Sequence, residues 1–358
     1  MLPLLTERKN DFNANTFMNE LFMASKAIGC FEAKIDTYQF SSLLIPIFQI
    51  KESISSMEIE GTQTTLSDIL EDRISTAKDN EQDSAIRESD NNIKALVFGA
   101  NYLDSNPFSE DLIKSLHKMI LDGIVKKSKI ETLGRYKQVN NYIVNSSGSV
   151  VYTPPEYTET KQYMKDLLIF MNNDVDDINP LIKAAVMHSQ FESIHPFEDG
   201  NGRVGRLLIS LYLYKTKVIK LPFFYISEAF CQDKAVYYNM LTDSRKRSYD
   251  EWIRFFLKKC TLQANKFSNY VDSINQIYRK TREKLSIIIN SSKLDDVLNT
   301  LFAQPIVTAA YLAEKSDISH QRAKRYLDIM VDQHVLQCND QRRNKQYYFM
   351  EVLDLARV

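Results

Sequence analysis

One stretch restricts this chain more than any other. Residues 203–215 are apolar on almost every side, with Val204, Leu207, Leu208, Ile209, Leu211 and Leu213 placed all around a helix. Such a helix belongs at the centre of a bundle, wrapped by other helices. The rest of the chain must supply them. The 358 residues include only 9 glycines and 9 prolines, too few to turn many hairpins, so the predicted class is all-α. Helical spacing recurs over 14–70, in Phe17, Leu21, Phe22 and Ala24 and again in Leu43, Leu44, Ile47 and Ile50. It returns over 92–104, 108–121, 158–172, 226–245 and 249–290, and from Asn179-Pro180 to about Ser193. Residues 74–91 are polar and read as a loop or weak helix. Residues 134–155 differ. Tyr142-Ile143-Val144 and Val150-Val151-Tyr152 flank Asn145-Ser146-Ser147-Gly148, which predicts a hairpin closed by Pro154-Pro155.

Lys and Arg number 45 against 46 Asp and Glu, a net charge of −1. That balance excludes nucleic-acid binding through overall basicity and leaves only local patches. No apolar run approaches the length of a membrane span, so no membrane partner is expected. The first ten residues lack the parts of a signal peptide. Cys30, Cys231, Cys260 and Cys338 are far apart and form no CxxC pair, which reads as reduced core thiols in a cytoplasmic protein.

The chemistry concentrates in residues 195–206, which join two predicted helices: His195-Pro196-Phe197-Glu198-Asp199-Gly200-Asn201-Gly202-Arg203-Val204-Gly205-Arg206. Gly200 and Gly202 allow a tight loop whose N–H groups converge on an anion. The loop opens into a helix N-terminus, which favours negative charge. Arg203 and Arg206 can place guanidinium forks on phosphate oxygens. Asp199 suits Mg²⁺ beside phosphates, and His195 suits a general base near neutral pH. Gly200, Gly202 and Gly205 also spell the dinucleotide fingerprint, but no strand or βαβ unit surrounds them. A Walker loop is excluded because no Gly-Lys-Ser/Thr follows.

The segment resembles the signature of the Fic family, His-Pro-Phe-x-Asp/Glu-Gly-Asn-Gly-Arg-x-x-Arg, with every position filled. The likeness extends to His188, Phe191 and Glu192, to the hairpin at 142–153 and to Tyr237-Tyr238. It implies a Fic-type helical bundle with a hairpin flap that transfers AMP from ATP to a hydroxyl of a target protein, the chain itself among the candidates. By that resemblance His195 is the catalytic base and Asp199 the Mg²⁺ ligand. ATP is held by the run from Gly200 and Asn201 through Gly202, Arg203, Val204 and Gly205 to Arg206, with Asn201 on the α-phosphate and Arg206 on the γ-phosphate. Phe197 anchors the loop, Tyr238 lines the adenine pocket, and the flap adds a strand to a target peptide. Gly202, where a phosphorylating branch carries Lys, leaves room for the β- and γ-phosphates.

Ser56-x-x-x-Glu60-Gly61 resembles the family's N-terminal inhibitory motif. Ser56 and Glu60 share a helix face. A carboxylate there can pair with Arg206 and occupy the γ-phosphate position, so Glu60 also belongs to the expected ATP site. His188 and His117 read as hydrogen-bonded core histidines, and Trp252 as helix core. Residues 295–358 order three helices (Val297–Phe302, Ala309–Ala313 and one capped by Ser319) before a hairpin, resembling a winged helix-turn-helix. Arg322, Lys324 and Arg325 on its third helix, and Arg342, Arg343 and Lys345 on its wing, suit phosphates, while Asp328, Asp332 and Asp340 dilute the field. DNA reading and protein packing both fit it.

The expected organisation is a brake-bearing region 1–105 (inhibitory helix about 53–61), a catalytic core 106–265 and a linker helix with winged helix 266–358. Two rivals stand beside transfer: removal of AMP with Glu60 orienting water, and a DNA-binding regulator whose core senses nucleotide. A homodimer is compatible with all three.

Overall fold

The computed structural model describes residues 2–8, 12–37, 45–75, 84–144, 148–173, 177–246, 248–341 and 343–357. Leu43, Leu44, Asn145 to Ser147 and Arg342, all used above, lie outside them, as do residues 76–83 of the expected loop. In chain order the helices are α1 (Met18–Thr37), α2 (Ile45–Glu60), α3 (Leu66–Ile74), α4 (Ser84–Leu103), α5 (Glu110–Leu121), α6 (Thr160–Asn172), α7 (Pro180–Ile194) and α8 (Asn201–Lys215). There follow α9 (Ser227–Gln232), α10 (Lys234–Lys246), α11 (Asp250–Ser286), α12 (Leu294–Ala303), α13 (Ala309–Lys315), α14 (His320–Asp332) and α15 (Met350–Arg357). The strands are β1 (Ile143–Val144), β2 (Val150–Tyr152), β3 (Ile306–Thr308), β4 (Gln337–Cys338) and β5 (Gln346–Tyr348).

The all-apolar stretch becomes α8, and every residue from Val204 to Leu213 is buried. Helices α7, α4, α5 and α2 pack around it. Local chemistry sets the starts of the neighbours. Asn179 accepts the Leu181 N–H ahead of Pro180, and Ser109 accepts the Leu112 N–H. Thr65 and Asp68 form a reciprocal capping box on α3. The flap forms as expected, with Ile143 opposite Tyr152.

Two expectations change. Within residues 14–70 the helix is interrupted; Gly61 (φ 98°), a helix-ending residue by its sequence, ends α2. Residues 84–91, read as a loop or weak helix, are the first two turns of α4, with Glu88, Ser89 and Asn91 buried, and Asn92 buried just after them. Glu88, Asn91 and Asn92 hydrogen-bond or ion-pair inside the molecule, so apolar periodicity is weak at the start of this helix. Asn91 Nδ2 donates to the carbonyls of Ile120 and Asp122.

The C-terminal part contains α12, β3, α13, α14 and the β4–β5 hairpin, in a three-stranded antiparallel sheet of order β3-β5-β4. Three helices and a hairpin were expected; β3 and α15 were not. The continuous helix α11 runs through residue 265, where the sequence suggested a boundary. The C-terminal part packs back on α3, where the buried Gln304 amide donates to the Leu70 carbonyl at 2.7 Å. No described helix is long and apolar enough to cross a membrane.

Candidate active site

Helix α7 ends at His195, whose backbone is left-handed (φ 48°, ψ 61°). The following Pro196 disfavours helical backbone at this position. Gly200 is also left-handed (φ 75°), and a Cβ there would meet Leu121 Cδ1 at 2.9 Å. Helix α8 begins at the next residue, so a six-residue turn sets its free N–H groups beside the imidazole.

Several side chains hold this loop. Asn201 Oδ1 accepts the Phe197 N–H at 2.8 Å while its Nδ2 donates to the Phe197 carbonyl at 2.9 Å. Both ends of the amide expected to bind the α-phosphate are therefore engaged in closing the loop. Phe197 is fully buried and stacks on His117, with ring centroids 3.8 Å apart. His117 Nδ1 accepts the Gly134 N–H, which places its proton on Nε2, 3.0 Å from the Asp199 carbonyl. His117 is the hydrogen-bonded histidine that the sequence suggested, and its bonds reach the loop.

Burial, reinforced by the positive charges of Arg245 and Lys137, pulls the His195 imidazole down to about 4, so it is neutral at pH 7. Its Nδ1 is buried, which leaves Nε2 as the nitrogen to meet a substrate. Arg245 donates to Ser193 Oγ and to the Glu192 carbonyl, and its guanidinium lies over the flap residue Tyr152 at 4.3 Å.

On α8, buried Arg206 meets the C-terminal turns of α2. Its Nε donates to Ser56 Oγ at 3.0 Å, and Nη2 donates to the Ser56 carbonyl at 3.0 Å and to Glu60 Oε1 at 2.7 Å. Burial acts to raise the Glu60 carboxyl, but the charge and hydrogen bond of Arg206 bring it below the usual range. A Cβ on Gly202 would overlap Glu60 Oε1, so the room left by that glycine is where Glu60 sits. Arg203 Nη1 donates to buried Glu88 at 2.8 Å and Nη2 to Asp199 Oδ1 at 3.1 Å. Tyr238, partly exposed, donates to the Ile59 carbonyl at the end of α2.

The structure brings together His195, Gly200, Gly202, Arg203, Arg206 and, from more than 130 residues earlier in the chain, Ser56, Glu60 and Gly61. Val204 and Gly205 behave otherwise: both are buried in helix packing, and a Cβ on Gly205 would overlap the Glu192 carboxylate. His188 bonds Tyr237 at 2.9 Å, and Trp252 donates to the Ala185 carbonyl, both as core groups. Lys137, Asn141, Arg245 and Glu88 were missed. Each is a lone polar residue with no local pattern, and only its contacts mark it.

Among the described residues no three His, Cys, Asp or Glu side chains cluster as a metal cage. Asp199 is half-exposed, and one of its oxygens accepts from Arg203 and from the Gly200 N–H. One carboxylate fits Mg²⁺ that takes its other ligands from substrate phosphates and water.

Fold and site define a helical bundle whose central helix opens from a histidine-led glycine loop. The Fic/DOC family model matches residues 107–213 and the Fic/DOC family N-terminal model residues 18–101. Together they cover more than half of the chain, which belongs to the Fic/DOC family. Protein adenylyltransferase fic-1 of Caenorhabditis elegans is 29% identical over 114 residues, 32% of this chain and 20% of that protein. A probable protein adenylyltransferase of Aquifex aeolicus is 32% identical over 72 residues, 20% of this chain and 22% of that protein. The chain thus spans about a fifth of the curated relatives it matches. Among solved structures, a Fic family protein from Desulfovibrio desulfuricans G20 covers 93% of this chain and 95% of its own, with TM-score 0.58 and 19% identity. A Fic-domain signalling protein from Bacteroides thetaiotaomicron covers 70% and 95%, with TM-score 0.57 and 21% identity. These two likenesses concern the fold.

Proposed function

We propose that the chain is a protein adenylyltransferase, moving AMP from ATP to a Ser, Thr or Tyr hydroxyl of a protein, with Glu60 as its brake. The observation that carries this reading is the neutral His195 imidazole fixed by one short loop beside a glycine-led helix N-terminus with two arginines. In this reading the imidazole takes the hydroxyl proton as the oxygen attacks the α-phosphorus. The bond from the α-phosphorus to the bridging oxygen breaks, and pyrophosphate leaves. The amides at Gly200–Gly202 and Arg203 stabilise the charge that develops on the phosphates. Mg²⁺ held at Asp199 would neutralise phosphate charge. Tyr238 would border the adenine, and the flap would pair with the acceptor segment.

The Glu60–Arg206 pair supports the brake, since the guanidinium suited to the γ-phosphate already holds a carboxylate. Glu60→Gly should raise self-labelling by α-labelled ATP at least tenfold, and His195→Ala in that background should abolish it. Label from the α- but not the γ-position marks adenylyl transfer. Unchanged labelling in Glu60→Gly refutes the brake. Release of AMP from pre-modified protein, with no new labelling, favours the hydrolytic reading.

The C-terminal part supports a second proposal, a winged helix that binds duplex DNA. Arg322, Lys324 and Arg325 are exposed together on α14, whereas Asp328 is drawn aside by the Tyr347 hydroxyl. A mobility shift of labelled duplex that weakens with salt, and is lost in Arg322→Ala/Arg325→Ala, tests it.

A further inference from the structure

We propose that Lys137 is the positioning residue of the site: its buried ammonium fastens both ends of the hairpin to the His195 loop, so that an acceptor on the flap and the base that deprotonates it share one anchor. Only the meaning given to the loop rests on the transferase reading.

Lys137 is 1% exposed. Its ammonium donates to Asn141 Oδ1 at 2.8 Å, to the Pro155 carbonyl at 3.0 Å and to the Ile194 carbonyl at 3.3 Å. Three N–H groups meet three neutral oxygens. No ion pair to a carboxylate is formed by Lys137 among the described residues. A buried ammonium without a counter-ion is costly, and burial draws it down to about 8. The three oxygens come from three places: Asn141 just before β1, Pro155 just after β2, and Ile194 next to the base.

The amide that Lys137 orients extends the grip. Asn141 Nδ2 donates to the carbonyls of His195 (3.1 Å) and Phe197 (2.9 Å), and the Lys137 backbone N–H donates to that of Pro196 (2.8 Å). Four consecutive carbonyls, 194 to 197, are held by Lys137 and Asn141. The hairpin so fixed exposes Val144, Val150 and Val151, an apolar edge suited to an extended acceptor segment.

The ammonium also acts through its charge. The groups facing the imidazole are Arg245 on α10 and Lys137 before β1, which disfavour protonation, and Glu60 on α2 and the Glu192 carbonyl on α7, which favour it. Removing the Lys137 charge therefore makes His195 easier to protonate.

The experiment uses full-length protein in the Glu60→Gly background, with self-labelling by α-labelled ATP followed from pH 3 to 9. Lys137→Gln keeps N–H donors and loses the charge. Its acid limb should move up by about one pH unit, and Lys137→Arg should restore the original limb. A fall by the same factor at every pH, with the limb unmoved, overturns the proposal. An NMR titration of the His195 imidazole without ATP, assigned against His195→Ala, decides the charge independently of activity. A raised midpoint in Lys137→Gln is expected, and an unmoved one overturns the proposal. Absence of labelling in Glu60→Gly would count against the transferase reading while the titration still judges Lys137. If Lys137→Gln does not fold, Lys137→Met provides the uncharged comparison.

Discussion

Around Arg206 the chain buries more carboxylates than the guanidinium can serve. Glu192, one turn before His195, is pushed up to about 7 by burial, with Arg206 opposing and Glu60 reinforcing the rise. A carboxyl raised in the folded state binds its proton more tightly there than in the unfolded chain. Its contribution to stability is therefore complete below the ordinary carboxylate range and is lost as pH rises through about 7. Glu192→Gln should remove that loss, making the variant more stable than the parent at pH 8 by about 3 kcal/mol, read by urea denaturation at pH 5 and pH 8. The same carboxylate explains Gly205. A methyl group there would overlap Glu192 and come within 3.1 Å of Phe191 and 3.3 Å of His188, so Gly205→Ala should cost about 1–3 kcal/mol in the same assay. At this scale the loop was legible, because His195, Gly200, Gly202, Arg203 and Arg206 lie within twelve residues. Glu192 was legible as a neighbour and not as a buried acid, since burial depends on what α8 and α10 place against it.

Helix α4 shows what periodicity misses. Up to residue 91 its polar residues read as a loop or weak helix in the sequence, yet several of its buried polar side chains carry the joints between helices. Glu88 meets Arg203 of α8, and Asn92 meets Ser53 of α2 at 3.5 Å. Asn91 caps the end of α5 by donating to the carbonyl of Ile120, in its last turn, and to that of Asp122, the residue after the helix. Asn91→Ala would leave these without their side-chain donor and should destabilise the protein by about 1–3 kcal/mol in urea melts. By contrast the starts of α7 and α14 were read from Asn179 and Ser319, and that of α5 was placed within two residues of where Ser109 caps it. Ser109, Asn179 and Ser319 act within three residues of themselves, and capping needs nothing distant.

The whole molecule joins the two ends of the chain. Helix α1 packs along α11, and the C-terminal sheet leans on α3, the helix after the one bearing Ser56 and Glu60. Gln304 is the polar peg of that contact, bridging the Leu70 and Ile306 carbonyls while almost fully buried. Gln304→Ala should destabilise the fold by about 1–3 kcal/mol and speed amide hydrogen exchange over residues 66–74 more than over α8. Equal exchange in variant and parent would refute the peg.

The sequence by itself determined the central helix, the histidine-led loop and the helical class. It also contained the α2 face that Ser56 and Glu60 share. These follow from interactions between residues a few positions apart. Tertiary structure decided that Arg206 meets Glu60, that Gly202 makes room for it, and that Lys137 and Asn141 hold four loop carbonyls. Those contacts join segments about 55 to 150 residues apart. Whether a lone lysine, asparagine or glutamate is solvated or buried is settled only when the distant helix closes over it.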